Sequence, residues 1–175
     1  MARIIENTED RGLERIRPLG TRPHTMGGAI TLAASDVADL LGVDFMVTFT
    51  QSGDSARRMS RLRSKIPLLA FTPEQAVRSQ LALTWGIETF LTEYVKHTDD
   101  MVRQVDQALL GIGRCQVGDL VVIVAGSPPG IPGSTNAMRV HRMGDAVGGF
   151  AAAYRTEESD AVGAAAEQSA RHTSP

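Results

Sequence analysis

The chain has 175 residues, a formal net charge of −2 and a single cysteine, Cys115. That length suits one ordinary domain with tails, and the near-neutral charge disfavours a nucleic-acid or general polyanion surface. One thiol excludes an internal disulfide and a multi-thiolate metal site, no apolar run approaches the roughly 20 residues that cross a bilayer, and the charged start "MARIIENTEDRG" lacks the apolar centre of a secretory signal. A soluble, cytoplasmic protein is expected.

Residues 2–9 read as the end of a helix. Residues 10–28, with Pro18, Gly20, Pro23, Gly27 and Gly28, read as a linker or extended arm. Ile30, Ala33, Ala34, Val37, Leu40 and Leu41 then share one helical face, and Gly42 is a fitting stop. A first strand follows at 45–49. After the turn at Gly53, the spacing of Ala56, Met59 and Leu62 predicts a short helix. A second strand occupies 67–71. Thr72, Pro73 and Gln75 form a helix start, with Thr72 as cap, and that helix runs to about Trp85, which counts as core.

A third strand spans 87–91. Thr98, Asp99 and Asp100 open a helix whose inner face carries Met101, Val105, Ala108, Leu109 and Ile112. The run "LVVIVA" at 120–125 does not alternate, which argues for burial on both faces in the middle of a parallel sheet. A last strand is expected at 138–143, with Met138, Val140 and Arg142 on one face. From residue 145 the chain is rich in alanine and glycine, with too little bulky apolar surface to offset its ordering entropy, and a disordered tail is expected over 145–175.

Strands alternating with helices predict an α/β domain over 27–144, a three-layer sandwich around a mostly parallel five-stranded sheet. Short right-handed crossovers give the order 3-2-1-4-5, with the last strand at the edge. In such a sheet ligands bind beyond the carboxyl ends of the strands, where the chain reverses across the sheet. The loops leaving strands one and four, residues 50–55 and 126–134, should therefore meet. The first is "TQSGDS". Gly53 lets the backbone turn close to a bound group, the amides of Asp54 and Ser55 open a helix, and Thr50, Ser52 and Ser55 add hydroxyls. Arg57 or Arg58 can supply charge. The second, "GSPPGIPGST", carries three glycines, three prolines, Ser127, Ser134 and Thr135. Together they point to a phosphate-bearing ligand, the bland alternative being an ordinary capped turn.

Other chemistries find little support. A P-loop lysine and a G-x-G-x-x-G fingerprint are both lacking, and Ser127 lacks the glycine two residues before it that a nucleophile elbow requires. His24, His97, His141 and His172 show no ligand spacing, Cys115 lies in a polar turn, and "RRMSRLRSK" reads as a solvated basic face. No catalytic or metal-ligating set is assigned.

The stretches "TFTQSGDSARRMSRLRSKIPLLAFTP", "QLALTWGIETFL", "TDDMVRQ" and "VGDLVVIVAGSPPGIPGSTNAMRVH" resemble, in order, successive blocks of the C-terminal domain of pyruvate kinase, and the wording is nearest to actinobacterial members. Residues 1–26 are similar to the last helix of the catalytic barrel and the connecting arm. The resemblance implies a regulatory and subunit-contacting domain of an enzyme that transfers phosphate from phosphoenolpyruvate to ADP with magnesium or manganese, and potassium, on a barrel whose motifs do not occur here; Met1 would then be an internal methionine or the start of a cut frame. It implies that Thr50, Gln51, Ser52, Gly53 and Ser55 grip an effector phosphate and that a second effector loop holds Gly126, Ser127, Gly130 and Gly133. Asp54 departs from the neutral or basic residue the family often has there, and His97 stands near the place of a second phosphate group. The implied partners are a sugar phosphate or AMP and further copies of the chain, in a tetramer built partly on strand 138–141. A free-standing sugar-phosphate or nucleotide sensor without catalysis is the alternative, and a purely structural assembly domain the third reading.

Overall fold

A computed structural model of the chain describes residues 2–12 and 23–148. Helix α1 is Ala2–Gly12. The domain then runs α2 (Met26–Leu41), β1 (Phe45–Phe49), α3 (Asp54–Arg61), β2 (Leu68–Thr72), α4 (Gln75–Leu81), β3 (Ile87–Leu91), α5 (Thr98–Gly111), β4 (Leu120–Gly126), β5 (Thr135–Arg142) and α6 (Asp145–Gly148). The five strands form one sheet in the order β3-β2-β1-β4-β5, parallel except for β5, which pairs antiparallel with β4 at the edge.

The sheet is covered on both faces. Phe45, Val47, Phe49, Leu69, Phe71, Val121 and Ile123 pack against Met101, Val102, Val105 and Leu109 of α5. Met46, Leu68, Val122 and Val124 face Ala34 and Ala38 of α2 and Met59 of α3. Ala56, Ala70 and Leu81 continue that side under α4. Every residue of β1 and β2 is buried, as their place in the middle of a two-sided sheet requires. The α/β three-layer architecture and the strand order are those the sequence predicts.

The helices differ in detail. Helix α2 begins earlier than expected, at Met26, because Thr25 caps it: its Oγ1 accepts from the Gly28 amide at 3.1 Å. Its buried residues are Thr31, Ala34, Ser35 and Ala38, while Leu40 and Leu41 are exposed. Small side chains let the helix lie close to the sheet, and Thr31 stays satisfied by donating to Gly27 O at 2.9 Å. Thr72 does not cap α4. It remains in the sheet, paired with Leu91, and the cap position falls to Glu74. That helix stops at Leu81, and Trp85 is half-buried with the Arg63 guanidinium 4.3 Å above its ring instead of lying in the core.

Ile112 is exposed, whereas Val102 and Asp106 join the buried side of α5. Met138, Val140 and Arg142 all lie on the exposed side of β5. Residues 145–148 form the short α6 and do not belong to a tail; the disordered-tail expectation for 149–175, like the linker expectation for 13–22, lies outside the described residues.

Candidate functional site

The loop after β1 is built by one side chain and one glycine. Thr50 is buried, and its Oγ1 accepts from the Gly53 amide at 2.9 Å, closing a tight turn. Gly53 takes φ 81°, a left-handed conformation that a Cβ would strain, and serves as N-cap of α3. The first intrahelical bond runs from Arg57 N to Gly53 O at 3.0 Å. The amides of Ser55 and Ala56 therefore have no carbonyl partner inside the helix. The Ser52 hydroxyl stands 3.4 Å from the Asp54 amide.

The charges around this turn are already engaged. Asp54 is turned toward Arg58, with Nε to Oδ2 at 2.7 Å, and Arg58 also donates to Thr25 Oγ1 at 3.0 Å. Arg57 donates to Ser52 O at 2.9 Å and to Gln80 Oε1 at 3.0 Å. Neither arginine lines the cleft described below, so neither takes the charge-supplying position expected of it.

The loop after β4 is pinned at its base. Asn136 accepts from Ser127 N at 2.8 Å and donates to Ser127 O at 2.7 Å. Ser134 Oγ donates to Ile131 O at 2.7 Å, and Gly130 and Gly133 adopt left-handed φ values of 87° and 78°. Gly126 lies so close to Ser134 that an added Cβ would overlap Ser134 Oγ and stand 3.1 Å from its carbonyl oxygen. One bond ties the two loops together: Ser55 Oγ and Thr135 Oγ1 are 2.6 Å apart.

Between the loops lies a cavity of about 60 Å³, room for roughly four or five waters or a phosphate group with a few further heavy atoms. Thr50, Gln51, Ser52 and Ser55 line it from one side and Gly126, Gly130 and Gly133 from the other. Gly53 and Ser127 do not line it: Gly53 turns the backbone at the rim, and Ser127 is held back by Asn136. The remaining wall was not foreseen. It consists of Pro73 after β2, the segment Thr92, Glu93, Tyr94 and Val95 after β3, and Met101 of α5. The aromatic and acidic residues of "TEYV", directly after a strand, were the available signal. Tyr94 donates to Glu74, and that bond raises its phenol above the ordinary value. The buried Thr92 Oγ1 has no hydrogen-bond partner among the described residues.

Elsewhere, His97 sits exposed at the N-cap of α5 and does not line the cavity. Cys115 lies in the turn segment after α5, as expected, but its side chain is buried in the core cluster; burial, with Asp119 and Asp44 adding to it, pushes its thiol up to about 11. His141 is also buried, paired with Asp106. Among the described residues no three His, Cys, Asp or Glu side chains are grouped to hold a metal ion, and no helix is long and apolar enough to cross a membrane.

Residues 28–141 match the model of the pyruvate kinase alpha/beta domain. The chain belongs to the pyruvate kinase family. It is 50% identical over 145 residues to the pyruvate kinase of Corynebacterium glutamicum and 51% identical over the same length to that of Mycobacterium tuberculosis. Each alignment covers 83% of this chain, which spans about 30% of those pyruvate kinases. The solved structure of Cryptosporidium parvum pyruvate kinase in complex with ADP shares the fold, with a TM-score of 0.63 and 24% identity over 70% of this chain and 25% of that one. The α/β domain of pyruvate kinase is thus the part this chain carries.

Proposed function

We propose that this chain is the regulatory and subunit-contact domain of a pyruvate kinase, and that the cleft between its two loops binds the phosphate of an effector. One observation carries the reading: residues 50–55 and 126–135, from strands adjacent in the sheet, converge on a cavity at the first turn of α3. Ser52 Oγ and the free amides of that turn supply neutral donors, and the positive end of the helix favours an anion. A hydrogen bond to a charged group contributes roughly 1.5–3 kcal/mol. A few of them, less ordering and desolvation costs, give an affinity of about micromolar to millimolar, suited to sensing a metabolite.

Phosphoryl transfer from phosphoenolpyruvate to ADP belongs in this reading to the intact enzyme, as do magnesium or manganese and potassium. The outer edge of β5, with Met138 and Val140 exposed beside it, is the surface offered to another copy of the chain.

Calorimetric titration of the purified chain with sugar phosphates and with AMP tests the effector site. Heat of binding is expected with at least one of them and is expected to vanish in Ser52→Glu, which places a like charge on an exposed loop residue without touching the core. A folded protein that binds none of them refutes the site. Sedimentation tests the contact surface: Val140→Pro should lower the mass of an oligomer while circular dichroism shows the domain still folded.

A further inference from the structure

The turn that carries Ser52 is held from outside the cavity by a side chain that does not enter it. Arg57 lies on the first turn of α3 and is not among the residues lining the cavity. One arm of its guanidinium, Nη1, donates to Ser52 O at 2.9 Å, and the other, Nη2, donates to Gln80 Oε1 at 3.0 Å. The same group lies against Gly53: a Cβ built there would stand 3.0 Å from Nη1 and 3.2 Å from Cζ. The Ser52 carbonyl is thus fixed by a charged donor. That donor is fixed in turn by α4, none of whose residues line the cavity. Inside the turn, Thr50 Oγ1 accepts from Gly53 N at 2.9 Å, but Ser52 Oγ stands 3.4 Å from the Asp54 amide. Ser52 is exposed, so packing does not fix it.

Resting on the reading of this cleft as the effector site, we propose that Arg57 and Gln80 are positioning residues for it. The bridge from Ser52 through Arg57 to Gln80 braces the turn against α4, and it orients Ser52 and the first amides of α3 before an anion arrives. Donors held in place beforehand lose less conformational entropy on binding. The planar fork of an arginine suits two acceptors in fixed directions, which the compact ammonium of a lysine does not. Gln80 is neutral and stands outside the cavity, so its effect on a bound anion passes through Arg57.

Calorimetric titration of the full chain tests the brace, with AMP, fructose 6-phosphate and fructose 1,6-bisphosphate as probes. The probe that the parent chain binds most tightly is carried through the variants. Gln80→Ala is expected to weaken binding about three- to tenfold. The unfolding midpoint should stay unchanged, since Gln80 is exposed and alanine suits a helix. Gln80→Glu keeps an acceptor for Arg57 and should recover most of the lost affinity. A purely electrostatic influence predicts the reverse order, because the added carboxylate repels an anion. Arg57→Ala should weaken binding by about tenfold or more. Gln80→Ala added to it should cost nothing further, as for two parts of one bridge. Gln80→Ala binding as tightly as the parent, or Gln80→Glu binding more weakly than Gln80→Ala, overturns the positioning role while leaving the phosphate site standing. Absence of binding by the parent chain with all three probes removes the site and its brace together.

Discussion

His141 Nε2 lies 2.7 Å from Asp106 Oδ1, and both side chains are fully buried. The other oxygen of Asp106 accepts from Gly144 N at 3.1 Å and Ala146 N at 3.2 Å. One carboxylate on α5 thus fastens the end of the edge strand and the turn that follows it. Asp106→Ala removes every one of these partners at once, and buried polar groups left unpaired cost about 1–3 kcal/mol each. A loss of about 3 kcal/mol or more is expected in urea unfolding. Asp106→Asn keeps an acceptor for the amides and a donor for the opposite histidine tautomer, so it should cost clearly less. Equal losses for the two variants would show that the polar network is not what stabilises this corner.

The bond between Ser55 and Thr135 joins the start of α3 to the start of β5 across the mouth of the cavity. Ser55→Ala and Thr135→Ala should each destabilise by about 1 kcal/mol, the net value of an ordinary hydrogen bond, and a double-mutant cycle should return a coupling of similar size. Additive losses would mean that the two hydroxyls do not act as a pair.

The order of the sheet was legible because its signals are local. "LVVIVA" announces a strand buried on both faces, and "FMVTF" and "PLLAF" are bounded by glycine, proline and polar residues. The meeting of the two loops follows from that order alone. What escaped the sequence reading depends on partners far along the chain. Thr72 looks like a cap until Leu91 pairs with it in the sheet. Leu40 fits the apolar face of α2, yet it is 84% exposed, since the helix docks through Ala34 and Ala38. His141 and Asp106 are 35 positions apart, and nothing local to either marks a buried pair. The remaining wall of the cavity comes from the segments after β2 and β3 and from α5, which the pairing of β1 with β4 does not reveal.

Gly126 is required by contact, since its backbone is not in the left-handed region. In Gly126→Ala the new methyl group overlaps Ser134, so the loop after β4 must shift outward. Overpacking of this kind costs about 1–3 kcal/mol. Effector affinity should fall along with the unfolding midpoint, since Gly130 and Gly133 of the same loop line the cavity. Adding Ser134→Gly removes the clash with the hydroxyl but not the approach to the carbonyl oxygen at 3.1 Å. The double variant should therefore recover part of the loss, and full recovery would locate the whole constraint in the side chain.

The buried Cys115 thiol makes a prediction about pH. Its value is raised from 9.0 to about 11 by burial first, then by Asp119 and Asp44. In the unfolded chain the thiol ionises near its ordinary value, while the folded protein keeps its proton. The unfolded state thus binds fewer protons between these two values, and linkage requires stability to fall as pH rises from about 9 toward 11. Below that window the contribution is fully present. Two units also mean roughly a hundredfold less thiolate in the folded chain at pH 8, so alkylation by iodoacetamide should be at least that much slower than in urea. Cys115→Ala should remove the alkaline loss attributable to this group, although it also leaves a small void in the core cluster. A stability profile that declines over the same alkaline window to the same extent in both proteins would assign the decline to other groups.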